Sequence, residues 1–214
     1  MTSRSNLSWG ALGPLLFIAV FLVDGATRAG YEPMRHQVSY LSLGDRGWVQ
    51  VASFLVTGGL LIAFAFALHR AMSGGIGSVG GPVAIVLTGA GLVVAGLFPT
   101  VPAFGYPPGT PDAFPKDVPA TAYFHVLGAL CYFGGMTAAC VIMARRFRRQ
   151  RKDAWAAYSI ATAALVVVFF GASSADPSGS PFFPAIAGLL QRVSIIAGLT
   201  WIAALGYWLP SGSG

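Results

Sequence analysis

Charge is what this chain has least of. Lys, Arg, Asp and Glu together make up 9% of 214 residues, against 55% hydrophobic, whereas a soluble domain carries about 25% charged residues. So few charges exclude a water-facing globular surface and define an integral membrane protein. Cysteine is scarce as well. Cys131 and Cys140 stand nine residues apart in one apolar run, about 13 Å along a helix, too far to bridge each other; both read as small apolar packing residues. The three His fall in different segments with no HxxxH or HExxH spacing, so no zinc site, and no other metal or cofactor, is expected. No GxSxG elbow is present to mark a serine nucleophile. The glycine-rich SGGIGSVGG follows an apolar run and not a strand, which excludes a phosphate-binding loop.

What is there is length and apolarity. A helix needs about 20 mainly apolar residues to cross the hydrocarbon layer, and six windows meet or nearly meet that length: 10–27, 49–69, 81–98, 120–144, 154–173 and 184–209. The fold class is therefore all-α, a single polytopic bundle of six transmembrane helices over 1–214. The first window is not read as a cleavable signal, because five further spans follow it. Orientation comes from the positive flanks. Arg4, Arg70 and the run Arg145, Arg146, Arg148, Arg149, Arg151 and Lys152 fall on one side, and Arg28, Arg35, Arg46, Lys116 and Arg192 on the other. The run sits in a short loop, so both termini are expected in the cytoplasm. It also accounts for most of the net charge of +6. Its position between two spans points to anionic lipid headgroups and not to nucleic acid.

One stretch interrupts the apolar chain. Residues 24–48, DGATRAGYEPMRHQVSYLSLGDRGW, form a polar island between the first two spans. Pro33 breaks any continuation of the first helix, and Met34, Val38, Tyr40 and Leu41 form an apolar stripe. Residues 33–43 thus read as a short interfacial helix or re-entrant turn at the outer surface. Asp45 is placed to cap the second span, and Trp48 to anchor it at the interface. A second loop, 100–119, holds six Pro and two Gly together with Phe104, Tyr106 and Phe114, a composition too apolar for a solvated linker; it reads as a lid over the outer mouth.

Counting down from the outer ends of the spans places Asp24, His125, Gln191 and Arg192 at one depth on three different helices. An Arg about two turns inside a bilayer calls for a carboxylate in the bundle interior, and Asp24 is the candidate partner. This layer reads either as an ion pair locking the first helix to the last or as the floor of an outward-facing pocket. In the second case Asp24, His125 and Arg192 are the catalytic candidates, and Gln191, His36, Ser39, Ser42, Asp45, Tyr106, Tyr132 and Asp176 the candidates for binding substrate.

The order of LSLGDRGWVQ, GLFPTVPAFGYPP, a His early in the fourth span, an Arg-rich loop and finally GLLQR resembles a family of bacterial six-span membrane proteins, domain of unknown function 998. The resemblance covers nearly the whole chain and implies the six-helix fold and a place in the bacterial plasma membrane. Ser42, Gly44, Asp45, Trp48, Pro99, His125, Gln191 and Arg192 stand at its motif positions. Val101 departs from the pattern, where an acidic residue often follows the Phe-Pro pair.

Two classes of function fit these parts. The first is an enzyme acting on a lipophilic substrate from the membrane. A protonated Asp24 would start cyclisation of an isoprenoid chain, with aromatic rings stabilising the cation, in a chemistry similar to that of small membrane terpene cyclases; hydrolysis of a lipid ester by Ser39 or Ser42 with His36 or His125 is the other enzymatic version. The second is a non-catalytic component that binds a lipid, a small molecule or a partner protein. A transporter has less support, since no repeat symmetry is evident and six spans would need to assemble into an oligomer.

Overall fold

The computed structural model describes residues 4–72, 74–175 and 182–211, and the side chains of 10–72, 74–175 and 185–208. Six long helices follow one another: α1 (Arg4–Thr27), α2 (Gly47–Ala71), α3 (Gly80–Leu97), α4 (Ala120–Arg149), α5 (Asp153–Ser174) and α6 (Phe182–Ser211). Proline punctuates them. Pro99 follows the end of α3, Pro119 precedes the start of α4, and Pro184 lies in the first turn of α6, where a missing N–H leaves no hydrogen bond unmade. All six are long and apolar enough to cross a membrane. Leu22, Val23, Phe66, Leu127 and Val168 are exposed along their sides, a surface that suits lipid and not water. The protein is a multi-pass membrane protein.

Each helix packs against the next in chain order, and α6 packs back on α1, so the six close into a ring. Glycine lets the neighbours approach to backbone contact. A Cβ on Gly91 of α3 would lie 2.4 Å from Tyr132 N and 2.5 Å from Gly128 O of α4, and one on Gly58 of α2 would lie 2.6 Å from Gly89 O of α3. Small residues at such crossings are how membrane helices gain packing contacts in the absence of a water-driven hydrophobic effect.

The two ends of the ring differ. At the end that carries the basic loop, the centre is filled by Phe64, Leu68, Met136, Met143, Phe147, Trp201 and Leu205. The Trp201 indole N–H donates to Ser159 Oγ at 2.9 Å, and that hydroxyl donates to Trp155 O at 2.7 Å. Lys152 stands 4.0 Å over the Trp208 ring. The opposite end is filled by the polar island. Between the end of α1 and the start of α2 the island has one helical turn, a 3₁₀ turn over Val38–Ser42, and all five of its residues are buried. Of the two forms expected for 33–43, a surface helix or a re-entrant turn, the buried 3₁₀ turn corresponds to the second. Its apolar stripe is split accordingly, with Val38, Tyr40 and Leu41 buried and Met34 exposed. Asp45 is exposed and does not cap α2, whose N-cap position is held by Arg46 without a side-chain bond.

Candidate functional site

Two buried arginines hold the island in place through its backbone. Arg192 of α6 donates from Nη1 to Pro33 O, to His36 O at 2.9 Å and to Gly188 O at 3.0 Å, and from Nη2 to the Tyr31 hydroxyl. Arg28, just past the end of α1, donates to Leu43 O at 2.8 Å, to Arg46 O at 2.9 Å and to the Tyr106 hydroxyl at 3.3 Å. A guanidinium presents five donors in a rigid fork and suits several carbonyls at once. The docking is tightened where Gly188 N donates to Arg35 O and Leu189 N to Met34 O. A Cβ on Gly188 would fall 2.3 Å from His36 O, so only glycine admits the island against α6 at that point.

The ion pair expected between Asp24 and Arg192 does not form. Asp24, 3% exposed, pairs with Arg28 one turn along the chain, and with Arg46 at 2.6 Å. Depth was the correct guide to proximity, since a Cβ on Gly25 would lie 3.6 Å from Arg192 Nη2. The partners differ because island carbonyls, left without helical partners, take up the Arg192 donors. Asp24 accepts from both guanidiniums, one at each carboxylate oxygen.

His36 is also committed. Its Nδ1 accepts from Glu32 N at 2.9 Å, and its Nε2 donates to Phe104 O at 2.9 Å, tying the island to the 100–119 loop. That loop seats Tyr106, 2% exposed, among Tyr31 and His36 with ring centroids 5.3 and 5.4 Å away, while Arg35 pairs with Asp112 at the rim. Burial, partly offset by the Arg192 charge, pushes the Tyr31 phenol up to about 12. Ser42 Oγ donates to Ser39 O at 2.7 Å. Asp176 lies outside the described residues.

Directly beneath this plug, a cavity of about 40 Å³ opens on the ring axis. Its walls are Phe17, Phe54, Phe133, Leu92 and Ile195, with Ser39, His125, Tyr132 and Gln191 also lining it. Four of the predicted site residues thus converge on one space, contributed by the island, α4 and α6. The space excludes Asp24, Arg192, His36, Ser42, Asp45 and Tyr106, which build the plug and its rim. His125 Nδ1 donates to Phe98 O at 2.8 Å and to Ala95 O at 3.2 Å. The ring proton is therefore on Nδ1, and Nε2 carries a lone pair. Gln191 Oε1 accepts from Val38 N at 2.8 Å, which leaves its amide N–H₂ as a donor without a partner among the described residues. Among the described residues the buried Tyr132 hydroxyl has no hydrogen-bond partner.

Sequence reasoning missed Gln50 and Ser53. Both are buried on α2, Gln50 at 0% exposure, and neither side chain has a hydrogen-bond partner among the described residues. The signal was available in Gln50, Ser53 and Thr57, polar residues at i, i+3 and i+7 that mark one face of the second span. Among the described residues, no group of three or more His, Cys, Asp or Glu side chains is placed to hold a metal.

A closed ring of six apolar helices around a plugged polar cavity defines a class of small polytopic membrane protein with an intramembrane pocket. The model of a protein family of unknown function, DUF998, matches residues 11–208, and the chain belongs to that family. No curated protein and no solved structure matches it.

Proposed function

We propose that the protein is a membrane-embedded enzyme of the bacterial plasma membrane, with both termini in the cytoplasm, that acts on the polar head of a lipophilic substrate. What carries this reading is the convergence on one cavity of four polar side chains with unused hydrogen-bonding capacity, inside walls that are otherwise aromatic and aliphatic. Buried polar groups are normally paired, and a cluster left unpaired costs stability that a ligand would restore. His125 is the general base: its Nδ1 proton is held by two carbonyls, and Nε2 is open to take a proton from substrate. Gln191 donates to the group that develops charge, and Ser39 completes the polar wall. Asp24 is given a structural role in this reading, because both its carboxylate oxygens accept from guanidiniums, and isoprenoid cyclisation is not assigned to it. Membrane lipids are the surrounding partners, with anionic headgroups at the basic loop and no role for nucleic acid.

A test compares lipid extracts of cells producing the wild type or His125→Ala at equal levels. A lipid species depleted or accumulated only with the wild type is expected; identical lipid profiles would overturn the enzyme reading. The second reading is a non-catalytic lipid-binding component. It is favoured by the small volume of the cavity and by the use of the charged layer for clamping the island, and it predicts a co-purifying lipid with unchanged profiles.

A further inference from the structure

We propose that Arg145, Arg148 and Arg149, at the basic end of α4, form a fixed seat for the phosphate of one acidic phospholipid, whose acyl chain lies along the lipid-facing side of the same helix. This rests on the reading of the basic loop as a contact for anionic headgroups and turns that contact into a defined site.

Helical phase and depth place the three guanidiniums. The exposed residues Tyr123, Leu127, Leu130 and Gly134 of α4 follow one another at steps of three and four, which keeps them on one side of the helix. Continued through the half-buried Ala138 and Val141, the same steps arrive at Arg145, Arg148 and Arg149, all exposed. The three arginines therefore stand on the side of α4 that faces lipid. Arg146, off that line, turns inward and donates to Gly74 O at 2.9 Å and Ile76 O at 3.0 Å. Depth is read from α3. A Cβ on Gly80 would lie 3.4 Å from Ile142 Cδ1, so Ile142 is level with the start of α3. The 18 residues of α3 extend about 27 Å and match a hydrocarbon layer of about 30 Å. Arg145 and Arg149 come three and seven residues after Ile142, or about 4 to 10 Å farther along the axis, the depth of the headgroups.

The seat has charge to spare. Side chains three and four positions apart are neighbours on a helix, and among the described residues none of the three arginines makes an ion pair or a hydrogen bond. Asp153 is the single acid in the sequence between Asp117 and Asp176. A phosphodiester accepts from guanidinium forks, whereas the ammonium of a zwitterionic headgroup would meet like charges. Nearer the middle of the same stripe, a Cβ on Gly134 would meet nothing within 4 Å, a notch open to an acyl chain. Membrane orientation needs positive charge near a span at any helical phase; a seat needs it on one side.

The full protein in detergent is titrated with phosphatidylglycerol or with phosphatidylcholine of matched chains, and bound lipids are counted by native mass spectrometry. One phosphatidylglycerol per chain should be held at least about tenfold more tightly than phosphatidylcholine. Arg148→Gln with Arg149→Gln should remove most of that preference. Arg151→Gln with Lys152→Gln takes the same charge from the loop beyond the stripe and should leave the preference within about twofold. Gly134→Leu fills the notch without altering charge and should weaken retention about threefold; undiminished retention would overturn the placement of the chain. Equal retention of the two lipids by the wild type would overturn both the site and the headgroup reading beneath it. Equal losses in the two double variants would overturn the site alone and leave a diffuse attraction. Displacement of the lipid by inorganic phosphate would also overturn it, as the mark of an ion site without a chain.

Discussion

The two ends of the helix ring solve the same problem in opposite ways. At the basic end the axis is packed with large apolar side chains, and its polar group, the Trp201 indole, finds a hydroxyl. At the island end a folded polar loop is driven into the axis, held by two guanidiniums through its carbonyls, and a cavity with unbonded polar atoms lies beneath it. Packing of the first kind is what stability alone selects. The second kind leaves buried polar groups such as the Gln50 amide without hydrogen-bond partners among the described residues, which stability alone does not favour. Substitutions at the island end should therefore differ in sign as well as size, according to whether the polar group they remove is bonded.

The largest effect is expected from Arg192→Met. It strips donors from three buried carbonyls, and the loss should be about 4 kcal/mol, read as a lowered melting temperature in detergent or nanodiscs. Arg192→Lys should restore little of it, since one ammonium cannot reproduce the fork. Asp24→Asn leaves Arg28 and Arg46 facing each other without an anion, and a loss of about 3 kcal/mol is expected by the same measurement. A melting temperature equal to the wild type would refute the structural role given to that carboxylate. Gly188→Ala drives a methyl group toward His36 O and should cost about 2 kcal/mol, with increased protease access to the 31–46 segment as a second readout. Gln50→Met should act in the opposite direction. It replaces two unbonded buried polar atoms by an apolar chain of similar size and should stabilise by about 1 kcal/mol; a loss of stability would mean that Gln50 is bonded in the membrane. The smallest effect is a pH dependence. Tyr31 titrates near 10 when unfolded and is pushed up to about 12 in the fold by burial. The neutral phenol is the form the fold favours, so its contribution is complete below pH 10 and is lost between pH 10 and 12. A thermal-melt series across that range should show the decline, and Tyr31→Phe should flatten it.

The fold was legible because a span is written in length and composition, and each of the six windows corresponds to a helix. The depth count brought Asp24, His125, Gln191 and Arg192 to one end of the bundle, and the structure keeps them there. Their pairings were not legible. A sequence offers side chains as partners for Arg192 and hides the backbone carbonyls that a non-helical loop sets free, although Pro33 announced such a loop. The position of Ser39 facing the cavity, with Ser42 turned to the chain, depends on the local 3₁₀ turn, which three neighbouring residues settle and no periodicity reveals. Gln50 was passed over because a single amide does not break an apolar window, although its depth is close to that of the residues that were singled out.

The closing of the ring by α6 onto α1 also orders events during synthesis. Arg192 and Gly188 are made late, while the carbonyls they secure, at Pro33, Arg35 and His36, emerge before α2 is finished. Until the sixth helix enters, the island lacks the Arg192 donors and the cavity lacks one wall. A nascent chain halted after α5 should therefore present a wider, lipid-accessible groove at the place of the cavity.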